Sequence, residues 1–280
     1  MDEVGRYLLE GLIESVALVG FLLGPLLFFA ILFHLLSLWI FQLVGGGKVA
    51  LWFLWLTAPG TIVHELGHAV LCLPFGHRIE RIRLFRPARN GSVGEVIHSH
   101  SVANPWAWLG HFFIGTGPLW MGGVVIGALG RWLLNGAWFL PGAANVENAW
   151  RGWPAWWAIA EAAGRLMRGL FRLELWGRGT TWLFLYLAFS IGVHMSLSGS
   201  DVKDTVKGFG VLVLTVWILL LIVRWVYPGV VQWAEQGIRP LANFYAVLAV
   251  TACLCGGVGL MLGLGKKLVT PRSTEEDRTS

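Results

Sequence analysis

The sequence predicts an all-α polytopic membrane protein: about six transmembrane helices, with a small cytoplasmic β-hairpin after the second. Three observations carry that expectation. Only 13% of the 280 residues are charged and 56% are apolar or aromatic, with a mean hydropathy of +0.65. A soluble domain carries about a quarter charged residues, so an ordinary soluble enzyme and a disordered chain are both excluded. Several long stretches contain no Asp, Glu, Lys or Arg at all. The 17 Trp suit helices anchored at the membrane–water boundary. In such a chain the net charge of +5 orients loops, so the expected partners are the lipid bilayer and a membrane protein, with no nucleic acid.

The first residues, Met1-Asp2-Glu3-Val4-Gly5-Arg6, are net acidic, and Ser15–Gly47 is free of charged side chains. A span needs about 20 apolar residues, so the first helix, near 16–44, reads as a retained span and not a removed leader. Val49–His77 holds one charge, Glu65, and gives a second span near 49–75. Gly76–Pro105 carries Arg78, Arg81, Arg83, Arg86 and Arg89, alternates at Arg81-Ile82-Arg83-Leu84, turns at Asn90-Gly91 and alternates again over Val93–His98. That pattern predicts a β-hairpin over about 78–102. Trp106–Leu129 is the third span.

The segment at about 155–176 interleaves Trp156, Trp157, Ile159, Leu166, Met167, Leu170 and Phe171 with Arg165, Arg168 and Arg172. It reads as a basic amphipathic helix lying in the interface. Spans near 180–197, 208–228 and 241–265 follow, and 266–280 is a flexible polar tail. With no internal repeat, residues 1–265 form a single membrane-embedded domain whose core lies at about 50–225. Cys72, Cys253 and Cys255 sit in apolar runs and read as packing residues. Six spans put both termini, the hairpin and the Ser198–Lys207 loop on one side. Lys and Arg are more numerous there than on the other side, which predicts that this side is cytoplasmic and the protein a multi-pass protein of the inner (cytoplasmic) membrane.

Inside the second span stands His64-Glu65-Leu66-Gly67-His68. An acidic side chain near the centre of a span costs about 2.5–3.5 kcal/mol, so an intramembrane Glu between two His is a functional hypothesis by default. Residues i and i+4 of a helix lie on one face, so both imidazoles reach one metal ion. Glu65 points beside them, able to take a proton from a metal-bound water. Zinc is the expected ion, because imidazole suits it and because it brings the pKa of a bound water to about 7. The bland alternative is a polar trio that holds helices together. Upstream, Pro59 suits the first turn of a helix, so the metal-binding helix is expected to begin there, after a break from Leu51–Leu56.

A catalytic zinc takes a third protein ligand and keeps an open position. Asp occurs at Asp2 and Asp277 near the ends, and at Asp201 and Asp204 directly after the fourth span. The run His194-Met195-Ser196-Leu197-Ser198-Gly199-Ser200-Asp201 reads as a non-helical break before a helix start. Asp201 is the preferred ligand, over Asp204 and over His194, with helix capping as the competing role for Asp201. Glu161 is a weaker acid candidate. His98 and His100 share one face of the second strand and read as solvated polar residues before a surface metal site. His77 begins the hairpin, His111 lies early in the third span, and His34 reads as a helix contact.

These residues resemble the site-2 protease family of intramembrane zinc metalloproteases. The resemblance rests on His64-Glu65-Leu66-Gly67-His68-Ala69 in a span, a basic hairpin after it, Gly115-Thr116-Gly117-Pro118 in the next span and Asp201 after a further one. It implies His64 and His68 as zinc ligands, an Asp as the third, Glu65 as general base, and cleavage of a substrate's transmembrane segment. The family's usual third-ligand motif has an Asn, prolines and Asp-Gly, whereas Val202 follows Asp201 here. Another class of membrane zinc protease, which trims prenylated proteins, adds Glu-x-x-x-Asp; Glu161 is followed at that offset by Arg165. The expectation is therefore a zinc endopeptidase acting on a membrane-protein substrate. The alternatives are a catalytically silent relative that binds membrane proteins, and a zinc-dependent lipid amide or ester hydrolase.

Overall fold

The computed structural model describes residues 3–87, 93–134, 153–226 and 230–269. These residues are mostly helical, with one two-stranded antiparallel sheet. The elements are α1 (Glu3–Val44), α2 (Gly47–Leu56), α3 (Ala58–Cys72), β1 (Arg78–Arg83), β2 (Glu95–Ser99), α4 (Pro105–Gly115), α5 (Gly117–Leu133), α6 (Trp153–Leu170), α7 (Leu173–Trp176), α8 (Gly179–Val193), α9 (Gly199–Val226) and α10 (Val230–Val269).

Two breaks in the helices share one local chemistry. Thr57-Ala58-Pro59 separates α2 from α3 by a 64° bend, and Thr116-Gly117-Pro118 separates α4 from α5 by 57°. In each, the Thr amide and hydroxyl turn back onto the carbonyl four residues earlier, Phe53 or Phe112. The Pro, which has no N–H to give, then sits in the first turn of the next helix. The expected start of the metal-binding helix at Pro59 is thus borne out. The third break has another origin. Asp201 Oδ2 accepts from the Ser198 amide at 2.6 Å, and Ser198 Oγ accepts from the Asp201 amide at 3.3 Å. That reciprocal cap starts α9, while α8 ends at Val193 with its own cap, the His194 amide turning back onto Ile191 and Gly192.

Among the described residues, three helices are long and apolar enough to cross a membrane, over Leu23–Val44, Gly199–Val223 and Leu241–Leu268, and up to five spans result if each bent pair is one. Large apolar side chains face outward along them, among them Ile31, Leu35, Trp52, Val124, Leu219 and Leu260. Such a surface needs lipid to cover it. The fourth expected span, 180–197, is the 15-residue helix α8, about 22 Å long at 1.5 Å per residue.

The core joins α1, α4, α5, α6, α8, α9 and α10 around Phe33, Phe112, Leu119, Ile126, Phe184, Tyr245 and Leu248. The amphipathic segment at 155–176 supplies α6 and α7. It buries Ile159, Ala162 and Leu166 in this core, against α10. Within the expected tail, Lys266–Val269 extend α10, while 270–280 lie outside the described residues.

The hairpin forms as expected, with Arg83 opposite Glu95, Ile82 opposite Val96 and Ile79 opposite His98, and a bulge between Ile79 and Arg81. Its turn at Asn90-Gly91 lies outside the described residues. A Cβ on Gly117 would stand 2.8 Å from Gly67 O, and one on Gly115 2.6 Å from Asp201 O. Those glycines admit α3 and α9, and this close crossing brings the elements of the site together.

Candidate metal centre

On α3, His64 and His68 lie one turn apart and turn the same way, with Nε2 atoms 3.2 Å from each other. Asp201, in the first turn of α9, completes the group: Oδ1 is 3.4 Å from His68 Nε2 and Oδ2 is 3.8 Å from His64 Nε2. One atom from each of the three lies within 4.8 Å of the others. Asp201 and His68 are buried, at 9% and 7% exposure.

The hydrogen bonds behind the ligand atoms fix which nitrogen faces inward. His64 Nδ1 donates to the carbonyl of His194 at 2.6 Å, and His68 Nδ1 donates to the carbonyl of Ile114 at 2.7 Å. A neutral imidazole has one N–H, so in both rings Nε2 carries a lone pair. Two lone pairs aimed at each other across 3.2 Å repel unless a cation lies between them. A tetrahedral zinc with bonds of about 2.0–2.1 Å holds its ligand atoms about 3.3 Å apart, close to the 3.2 Å between the two imidazoles and the 3.4 Å from His68 to Asp201. The residues present therefore fit a divalent metal. Backbone carbonyls holding the far nitrogen of each imidazole are the usual outer support of such a centre. The cap from Ser198 does the same for Asp201, so the capping and ligating roles weighed for this carboxylate coexist.

The alternative third ligands point elsewhere. The ring nitrogens of His194 meet Thr57 Oγ1 at 2.9 Å and Thr61 Oγ1 at 3.4 Å. Its backbone, not its ring, serves the site. Asp204 turns to His111 and Lys207, at 3.3 and 3.2 Å. Glu161 pairs with Arg165 on α6. His34 contacts Ser196 Oγ at 3.0 Å, so it meets the non-helical break after α8 and not a helix as expected.

Glu65 is 8% exposed and lines the same cavity as the three ligand candidates. This cavity of about 570 Å³ is walled by α1, α3, the chain entering β2, the break after α8 and the start of α9. Gly94 crosses directly over the carboxyl group, where a Cβ would stand 2.6 Å from Glu65 Oε1. Three features here had no signal in the sequence: the orienting carbonyls of Ile114 and His194, and Gly94. The reading of His98 and His100 as solvated is corrected. Both are half-buried against His77 and His111, because β2 packs toward the start of α4. Burial, and then the neighbouring His77, push the pKa of His98 down to about 4, and that of His100 falls for the same reasons.

No protein-family model, no curated protein and no solved structure matches this chain.

Proposed function

We propose that this protein is an intramembrane zinc endopeptidase, a divergent member of the site-2 protease type, that hydrolyses a peptide bond in or near a transmembrane segment. The observation that carries the reading is the meeting of His64, His68 and Asp201 in one cavity with Glu65. His64, His68 and Asp201 hold the metal. Zinc bound there supplies a Lewis acid for the scissile carbonyl and makes a water acidic enough to lose a proton near neutral pH. Glu65, beside the ligands, would serve as base for the attacking water and would return the proton to the leaving amine. A peptide bond within a helix is shielded by its own hydrogen bonds, so the substrate enters unwound. Val93–Val96, which line the cavity, receive it by strand addition along β2.

The same reading sets six spans, with termini and hairpin in the cytoplasm of an inner-membrane protein. The short α8 is completed by the irregular residues 194–198, four of whose neighbours and members, Val193, His194, Ser196 and Ser198, line the cavity. Irregular backbone is tolerated at membrane depth where it borders a cavity.

The test is cleavage of a panel of single-span peptides by the purified protein in proteoliposomes, with lipid esters and amides run alongside. Cleavage that falls about 100- to 10,000-fold in Glu65→Gln and stops on zinc chelation supports the proposal. Equal cleavage by Glu65→Gln sinks the assigned base. Turnover of lipid with no peptide cleaved would make the protein a lipid hydrolase.

A further inference from the structure

Four of the chain's eight His gather at a second place, between the hairpin and the start of α4. Ring centroids of His77 and His100 lie 4.8 Å apart, those of His100 and His111 4.6 Å, and those of His77 and His111 5.2 Å. One nitrogen from each of these three lies within 4.8 Å of the others. His77 and His111 are buried. The Nε2 atoms of His100 and His111 are 3.4 Å apart, again close to the edge of about 3.3 Å expected of a tetrahedral zinc shell.

The hydrogen bonds around the group favour ligand chemistry over simple packing. His77 Nε2 donates to the carbonyl of Ala107 at 2.9 Å, which leaves a lone pair on Nδ1, 2.9 Å from His98 Nδ1. His111 Nδ1 is buried and makes no hydrogen bond of good geometry. Its near neighbour is Asp204 Oδ1 at 3.3 Å, itself held by Lys207 at 3.2 Å. A carboxylate behind an imidazole whose other nitrogen faces its fellow ligands is the outer support that metal-binding His residues use.

We propose that His77, His100 and His111 bind a second divalent metal ion, zinc by the chemistry of three imidazoles, with Asp204 orienting His111 and the Ala107 carbonyl orienting His77. Three imidazoles suit a first-row transition metal and not calcium or magnesium, which take oxygen. The ion ties together the loop after α3, the end of β2 and the second turn of α4. Pinning β2 at this end holds Gly94, at its other end, over Glu65. Asp201 and Asp204 stand one turn apart on α9, so both centres rest on the same turn of that helix. This proposal does not depend on the activity of the first centre.

The test counts zinc per chain by mass spectrometry on the full-length protein purified in detergent. Three samples are compared: wild type, His64→Ala/His68→Ala, and His77→Ala/His100→Ala, each checked as monodisperse. The proposal expects about two zinc ions in wild type and about one in each double variant. Half-exposed His100, changed alone to Asn, is a milder second variant and is expected to lose the same ion. One zinc in wild type that vanishes in His64→Ala/His68→Ala and persists in His77→Ala/His100→Ala overturns the second site and leaves the first intact. One zinc with the opposite behaviour supports the second site and overturns the first. No zinc in wild type, with none taken up on titration with Zn²⁺, overturns both.

Discussion

Replacing Gly67 by Ala probes how far the metal centre depends on the close crossing of α3 and α5. The added Cβ would stand 2.6 Å from the carbonyl oxygen of Gly117 and 2.7 Å from its carbonyl carbon. Ordinary contact begins at 3.4 Å, so the two helices must part by about 0.8 Å. Both obstacles are backbone and neither can rotate aside. Overpacking of this kind costs about 1–3 kcal/mol. It reaches the site because His68, the next residue on α3, is held by the Ile114 carbonyl at 2.7 Å, three residues before Gly117. Stretching that bond by most of an ångström removes it. Loss of an outer hydrogen bond to a ligating imidazole weakens metal binding by about 10- to 100-fold. The assay is competition with a chromophoric zinc chelator on detergent-purified protein, with thermal unfolding in parallel. Gly67→Ala is expected to show both weaker zinc binding and a lower melting temperature. A melting temperature lowered at unchanged zinc affinity would refute the coupling between the crossing and the centre. No change in either would mean that the helices do not meet at Gly67.

Other substitutions separate the parts of the site. Gly94→Ala sets a methyl group 2.6 Å from Glu65 Oε1; it is expected to keep its zinc while peptide cleavage falls about 100-fold, the scale of a misplacement near 1 Å. Ser190 Oγ accepts from the Gly60 amide and donates to the Thr57 carbonyl, at 3.0 and 3.1 Å, and so ties the start of α3 to α8. Ser190→Ala should destabilise the fold by about 1–3 kcal/mol, read as a lower melting temperature with zinc content unchanged. His194→Phe removes the ring contacts to Thr57 and Thr61 but keeps the carbonyl that orients His64. Zinc content is expected to persist, and its loss would mean that the ring is a ligand after all.

How much of this was legible in the sequence differs by element. His64, Glu65 and His68 announce themselves because they lie on one helical face within a span, where polar side chains are costly. Pro59 marks a helix start by local chemistry alone, whereas the matching break at Thr116-Gly117-Pro118 falls inside a stretch that reads as one span. Asp201 was reachable only through the scarcity of Asp and the Ser/Gly break before it. No periodicity connects Asp201 with a helix more than a hundred residues earlier; the contact is made by the close packing of Gly115 against α9. The cluster of His77, His98, His100 and His111 was misread for the same reason. Strand alternation places His98 and His100 on one face, but what that face meets depends on how the hairpin folds back onto α4. The length of the fourth span was also overestimated, since hydropathy continues through Met195 and Leu197 although the helix ends at Val193 with His194 as its cap.

The central claim is that His64, His68 and Asp201 share one metal ion. The most direct measurement is zinc per chain in Asp201→Ala and in His64→Ala, each against wild type purified in the same way. The account predicts that each variant holds one zinc fewer than wild type. Wild-type zinc content in a folded Asp201→Ala, with the loss confined to His64→Ala, would contradict it and return the third ligand to another residue.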